Sequence, residues 1–176
     1  ADHGANMSRG MSAVTEKLDA SAPAAVDDLL KTVGMTLVSS VGGASGPLYG
    51  TFFLRMGMTT GAVQELDAPA LAAALRAGLE GIVARGKPEP GDKTMFDAMS
   101  PAVDALDAAI AGGADLVEAT RAAAVAAATG RDATLPLVAR KGRASYLGER
   151  SAGHLDPGAA STTLLFETLA AAIAAS

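Results

Sequence analysis

Apolar residues along this chain recur every three or four positions, and nowhere do they alternate convincingly with polar ones. In "AAVDDLLKTVGMTLVSSV", for example, Val26, Leu30, Val33, Leu37 and Val41 fall on one face of a helix. Reading the same spacing along the whole sequence predicts seven helices and no strand. The first covers roughly Asn6 to Leu18 and stops before the "DASAP" turn. Pro23 sits just inside the start of the second, which halts at Gly42-Gly43. A third starts near Pro47 with "LYGTFFLRMGM", and a fourth, "APALAAALRAGLEGIVARG", takes Asp67 as its N-cap and Gly86 as its C-cap. The fifth runs from about Lys93 to Ala111 and stops at Gly112-Gly113. The sixth begins near Ala114 and bends at Gly130 and Pro136, and the last follows Pro157 to the C-terminus.

Connections this short make sequential helices antiparallel neighbours. The expected architecture is therefore all-α: an up-and-down antiparallel helical barrel formed by residues 1–176 as a single domain. Seven helices are awkward for a closed ring, and the chain begins "ADHGANM" without an initiator methionine. An eighth helix, N-terminal to the seven visible, is expected to close the barrel. No fixed-period repeat points to a solenoid.

Composition narrows the chemistry. Hydrophobic residues make up 49% of the 176 but aromatics only 3%, so the core is built from Ala, Leu, Val and Met. A net charge of −5 and a pI near 4.9 disfavour a nucleic-acid partner. The absence of cysteine removes disulfides, thiolate metal sites and a cysteine nucleophile, and suits a reducing cytoplasm. No apolar run is read as long enough to span a membrane.

In an up-and-down array alternate loops share one end. The start of the first helix then joins "SSVGGASGP", "RGKPEPGDKT" and "RKGRASYLGERSAGHLDPG", which are the polar, glycine-rich loops. "SSVGGASGP" sets Ser39, Ser40 and Ser45 among glycines before a helix N-terminus, where backbone N–H groups and the helix dipole favour an anion. A helix connector would read the same way. "ADHGAN" brings Asp2, His3 and Asn6 to another helix start, and oxygen ligands there with a substrate phosphate suit Mg²⁺, though one carboxylate is too few for tight binding. "RGKPEPGDKTM" passes for a charged surface loop, or its Gly86 and Met95 form the sides of a slot for a flat ring. Arg143 is the candidate phosphate clamp. Asp156 suits an N-cap for the last helix, and Arg140 and Lys141 are expected to cap the helix before the loop.

Four stretches together, "ADHGANMSRG", "GMTLVSSVGGASGPLYGTFF", "ARGKPEPGDKTM" and "ARKGRASYLGERSAGHLDPGA", resemble the nucleotide-binding L subunits of phosphoenolpyruvate-dependent dihydroxyacetone kinases. The resemblance implies an eight-helix barrel that binds ADP at one end, with three aspartates holding two Mg²⁺ ions. Of these only Asp2 is present here; the other two would lie upstream. It further implies that His3, Gly4, Ala5, Asn6, Ala44 and Ser45 surround the phosphates, and that Gly86 and Met95 contact the adenine side with Leu48 nearby. Arg143 would close over the phosphates, and Asp156, Pro157 and Gly158 would complete the site.

In such a system the nucleotide is a bound cofactor. A phosphohistidine on an M subunit rephosphorylates the ADP, and the γ-phosphoryl passes to dihydroxyacetone on a K subunit. A homodimer is one assembly it allows, and no membrane is involved. Two other readings stay open: the nucleotide domain of a conventional ATP-dependent dihydroxyacetone kinase, and a non-catalytic nucleotide- or lipid-binding partner of a regulator.

Overall fold

The computed structural model describes residues 2–176, and among them it contains seven α-helices, one 3-10 segment and no strand. The helices are α1 (His3–Ala20), α2 (Val26–Ser40), α3 (Ser45–Thr60), α4 (Ala68–Gly86), α5 (Phe96–Ala111), α6 (Leu116–Ala133) and α7 (Pro157–Ala175). The 3-10 segment, Arg143–Ser151, lies between α6 and α7 and is broken at Gly148. The helices form two compact units, one ending at Lys87 and the other beginning at Pro88.

In the first unit α1 packs on α2, α2 on α3 and α3 on α4. Its buried side chains include Leu37, Tyr49, Phe52, Leu75, Leu79 and Ile82. With so few aromatics, tight packing comes from bringing backbones together. A Cβ added at Gly34 of α2 would lie 2.8 Å from the Gly50 carbonyl oxygen of α3. Glycine at both positions permits that approach.

In the second unit α5, α6 and α7 pack against one another. The contact face of α6 is a stripe of small residues, Ala119, Thr120, Ala123 and Ala127, all fully buried. From α7, the Thr163 hydroxyl donates to the Ala127 carbonyl at 3.1 Å and to its own Ala159 carbonyl at 2.9 Å. Pro101 inside α5 has no N–H for the carbonyl four residues earlier, that of Asp97. Gly130 of α6 crosses at that carbonyl, with the Ala98 Cα and the Pro101 ring close by.

Several boundaries differ from the sequence reading, each for a local reason. Helix α1 starts at His3 rather than Asn6, and α3 starts at Ser45 rather than Pro47. Pro23 lies outside α2, which begins at Val26. Asp67 does cap α4, accepting from the Ala70 N–H at 2.8 Å. At the other end Lys87, not Gly86, takes the left-handed C-cap conformation with φ 45°. Helix α5 begins at Phe96 because Lys93 has φ 63° and cannot continue a helix. Helix α6 runs through Gly130 and ends before Pro136. Arg140 and Lys141 do not cap it. The Arg140 N–H donates to the Asp92 carbonyl at 3.0 Å, and Lys141 Nζ stands 3.6 Å from the Asp92 carboxylate.

Among the described residues, α7 is long and apolar enough by length and composition to cross a membrane, which corrects the expectation that no such run exists. Its hydropathy comes largely from alanine. One face is committed to packing through Gly158, Ala159, Thr162, Thr163 and Phe166, all buried.

The contact at Gly130 can be tested by sign. Alanine is about 1 kcal/mol better than glycine in an exposed helix interior. At Gly130 its Cβ would run into the Asp97 carbonyl, and overpacking of this kind costs roughly 1–3 kcal/mol. Gly130→Ala is therefore expected to lower the Tm by several degrees in a thermal melt. A raised Tm would show that α5 and α6 are not in such close contact.

Candidate functional site

A helix begins with N–H groups that have no partner inside it, and something else must satisfy them. Asp67, Asp115 and Asp156 do so at α4, α6 and α7, each accepting from a first-turn N–H. Helices α2 and α5 have acids in their first turns, Asp27 and Asp28 in one and Asp97 in the other. Helices α1 and α3 have neither a capping side chain nor a first-turn acid.

These two starts come together. Ser45 Oγ, at the first position of α3, lies 3.1 Å from His3 Nδ1, at the first position of α1. A Cβ at Gly42 would lie 3.3 Å from Asn6 Nδ2, so the α2–α3 loop rests against α1. Arg9 ties the same corner, donating to Asn6 Oδ1 at 2.6 Å and to the Ser40 carbonyl at 3.4 Å. Gly42, Gly43 and Ala44 are exposed, and Gly43 has φ 74°, a left-handed turn in the loop that leads into α3. The hydroxyls of Ser39 and Ser40 donate to α2 carbonyls, whereas that of Ser45 meets His3 of α1. Burial holds the His3 imidazole below its ordinary pKa, against the opposing pull of Asp2, which favours the neutral ring. An imidazole, a hydroxyl and two helix N-termini without side-chain caps make an anion-receptive corner.

The second unit holds a separate cluster. Met95 is buried, and a Cβ at Gly158 would lie 3.2 Å from its backbone nitrogen, so glycine there lets the start of α7 meet the start of α5. Asp156 is buried, and its Oδ2 accepts from the Ala159 N–H at 2.7 Å while its own N–H donates to Thr134 Oγ1 at 2.9 Å. Burial pushes the Asp156 carboxyl up from 3.8 to about 6, with Asp97 adding to the rise and the backbone N–H groups and Lys93 opposing it. Arg143 is exposed at the start of the 3-10 segment, after Gly142 with φ 68°.

The sequence-derived residues thus fall into two groups. Asp2, His3, Gly4, Ala5, Asn6, Ala44 and Ser45 gather at one corner, with Leu48 a turn further along α3 and its N–H bonded to the Ala44 carbonyl. Met95, Asp156, Pro157 and Gly158 gather at another. Gly86 ends α4. Asp2 is exposed, and among the described residues there is no group of three or more acidic or histidine side chains able to hold a metal ion. One carboxylate does not complete a Mg²⁺ site.

Sequence reasoning missed Asp92, Lys93, Asp97, Thr134 and Ser151, which hold the second cluster together. The adjacent opposite charges of Asp92-Lys93 after Pro90-Gly91 were the only signal, and on an exposed loop they would mean nothing.

Residues 1–171 match the model of the DAK2 domain. The chain belongs to the DAK2 domain family. It is 50% identical over 172 residues to the PEP-dependent dihydroxyacetone kinase, ADP-binding subunit DhaL, of Escherichia coli (strain K12), covering 98% of this chain and 82% of that one. A subunit of the same description from Listeria innocua serovar 6a (PEP-dependent dihydroxyacetone kinase 1) is 49% identical over 168 residues, covering 96% and 79%. In fold, this DAK2 domain is similar to the dihydroxyacetone kinase of C. freundii in complex with AMP-PNP and Mg²⁺, with TM-score 0.70 and 25% identity. That match covers 97% of this chain but spans only 28% of the solved one.

The Asp156 pKa fixes a pH signature. A carboxyl raised in the folded state binds its proton more tightly there than in the unfolded chain, so its stabilising contribution is full below about pH 4 and is lost as pH rises through about 6. At roughly 1.4 kcal/mol per pKa unit this amounts to about 2–3 kcal/mol. Asp156→Asn retains an acceptor for the Ala159 N–H and removes the charge. Denaturant unfolding should then show a flatter dependence between pH 4 and 6 and a gain in stability at pH 7. An unchanged profile would mean the carboxyl titrates normally.

Proposed function

We propose that this DAK2 domain acts over its whole length as the nucleotide-holding subunit of a phosphoenolpyruvate-dependent dihydroxyacetone kinase. The single observation that carries this reading is the meeting of two uncapped helix starts at His3 and Ser45. Neither start has a side-chain cap, and a phosphate placed there would supply acceptors for the first-turn N–H groups. Likeness to separate ADP-binding subunits across 98% of the chain supports the nucleotide as that anion.

In this reading His3, Gly4, Ala5, Asn6, Ala44 and Ser45 bind phosphate oxygens through backbone amides, the imidazole and the serine hydroxyl. Met95, Gly86 and Leu48 serve the adenine, and Asp156, Pro157 and Gly158 orient the nucleotide. The nucleotide stays bound as a cofactor. ADP accepts a phosphoryl group from a phosphohistidine on the M subunit, and the resulting γ-phosphoryl passes to dihydroxyacetone on the K subunit. Mg²⁺ accompanies the nucleotide and would neutralise phosphate charge, with Asp2 as one ligand. The chain's own contribution is positioning and charge, which is most of what phosphoryl transfer requires. A cytoplasmic phosphotransferase subunit, active only with its partners, is the setting this implies. Mass analysis of small molecules released from the purified protein tests the nucleotide directly: ADP or ATP is expected, and a protein that neither carries nor binds adenine nucleotide would overturn the reading.

Arg143 is expected to stabilise the transferring phosphoryl group, whose negative charge spreads over its equatorial oxygens in the transition state. Arg143→Ala should lower turnover with the K and M subunits by roughly a hundredfold, the usual cost of one preorganised donor. ADP affinity should fall much less. Arg143→Lys should recover only part of the loss, because an ammonium lacks the guanidinium fork. Full turnover in a folded Arg143→Ala protein would make the loop a connector.

A further inference from the structure

Lys93 is the most unusual charged residue in the second unit. It is 3% exposed, and its backbone adopts φ 63°, a conformation that favours glycine. Burying an ammonium is costly unless hydrogen bonds or an opposite charge compensate it. Here Nζ donates to the Ser151 carbonyl at 2.6 Å and to the Leu137 carbonyl at 2.9 Å. These two carbonyls bracket the loop that bears Arg143, one before it and one after the 3-10 turns.

The neighbouring bonds reinforce the same closure. Asp92 Oδ2 accepts from the Glu89 N–H at 2.8 Å and stands 3.6 Å from Lys141 Nζ, while the Asp92 carbonyl takes the Arg140 N–H. Ser151 Oγ accepts from the Ala139 N–H at 2.8 Å and donates to the Gly148 carbonyl at 2.6 Å. Asp97 holds the turn around Lys93 by accepting from the Gly91 and Thr94 N–H groups at 2.6 and 2.8 Å. The stems of the Arg143 loop are therefore tied, through one ammonium, to the turn that begins α5. The loop's own crown has no comparable core: Tyr146 is 87% exposed and Leu147 is exposed beside it.

We propose that Lys93 is a positioning residue for Arg143, closing the stems of its loop so that the guanidinium is held in one place. This rests on the phosphoryl-transfer role given to Arg143 above. A point charge with three donors can bond two converging carbonyls at once, which no apolar side chain of that length can do. Removing it frees the stems while leaving the helices of the unit packed.

The test is a double-mutant cycle on the full chain with its K and M partners, using Lys93→Met, Arg143→Ala and the pair. Lys93→Met is expected to keep the helical circular dichroism of the parent, to speed amide hydrogen exchange across residues 143–151, and to lower kcat at least tenfold with little change in KM for dihydroxyacetone. In the Arg143→Ala background the same substitution should cost less than twofold. Lys93→Gln, with one amide donor, should fold and fall between the parent and Lys93→Met. Equal losses in both backgrounds, or unchanged exchange over 143–151, would overturn the positioning role. If Arg143→Ala alone leaves turnover intact, the role of Arg143 fails instead, and exchange over 143–151 still decides whether Lys93 closes the loop.

Discussion

Every helix must find partners for the N–H groups at its start, and this molecule meets that requirement in two ways. Asp67, Asp115 and Asp156 serve their own helices and make them self-sufficient. At α1 and α3 the chain uses no such cap, and the two starts are brought together with His3 and Ser45 within hydrogen-bonding distance. Asp2 stands at the N-cap position of α1 but makes no side-chain capping bond there, and Ala44 before α3 has no polar side chain to offer one. Helix starts of this kind suit an anion's oxygens.

A core nearly without aromatics limits how such corners can be held. Small residues gain stability by letting backbones approach, at Gly34 and Gly50 in the first unit and along the alanine stripe of α6 in the second. Dense contact between helices fixes where each helix begins, and the loops inherit those positions. The same approach explains Gly158, where a side chain would push the start of α7 away from Met95. Packing and site geometry are therefore one problem in this fold.

The second unit adds a buried polar network. Asp92, Lys93, Asp97 and Asp156 place four charged or titratable groups among helix ends, and each is engaged by backbone groups more than by another side chain. A backbone-bonded network of this kind holds loop shape, because the partners are carbonyls and amides at fixed places in the chain. It also raises the Asp156 pKa, since a buried carboxyl beside Asp97 loses solvation that its two N–H donors only partly replace.

Periodicity and turn residues determined the all-helical class, the number of α-helices and the caps at Asp67 and Asp156. These are local properties: a 3.6-residue repeat, a short polar side chain before a helix, a glycine-rich loop. Tertiary structure decided the rest. The turn at Lys93 delays α5 because a buried ammonium holds that residue at positive φ, and nothing in "GDKT" reveals burial. The carbonyls of Leu137 and Ser151, on either side of Arg143, meet the same Lys93 nitrogen, a convergence no local pattern announces. Lys141, which looks like part of a basic helix end, pairs with the Asp92 carboxylate instead, and the Arg140 backbone N–H bonds the Asp92 carbonyl, because α6 has already stopped at Ala133. Whether a charge caps a helix, faces water or staples a loop depends on which distant carbonyl it meets, and sequence spacing carries no information about that encounter.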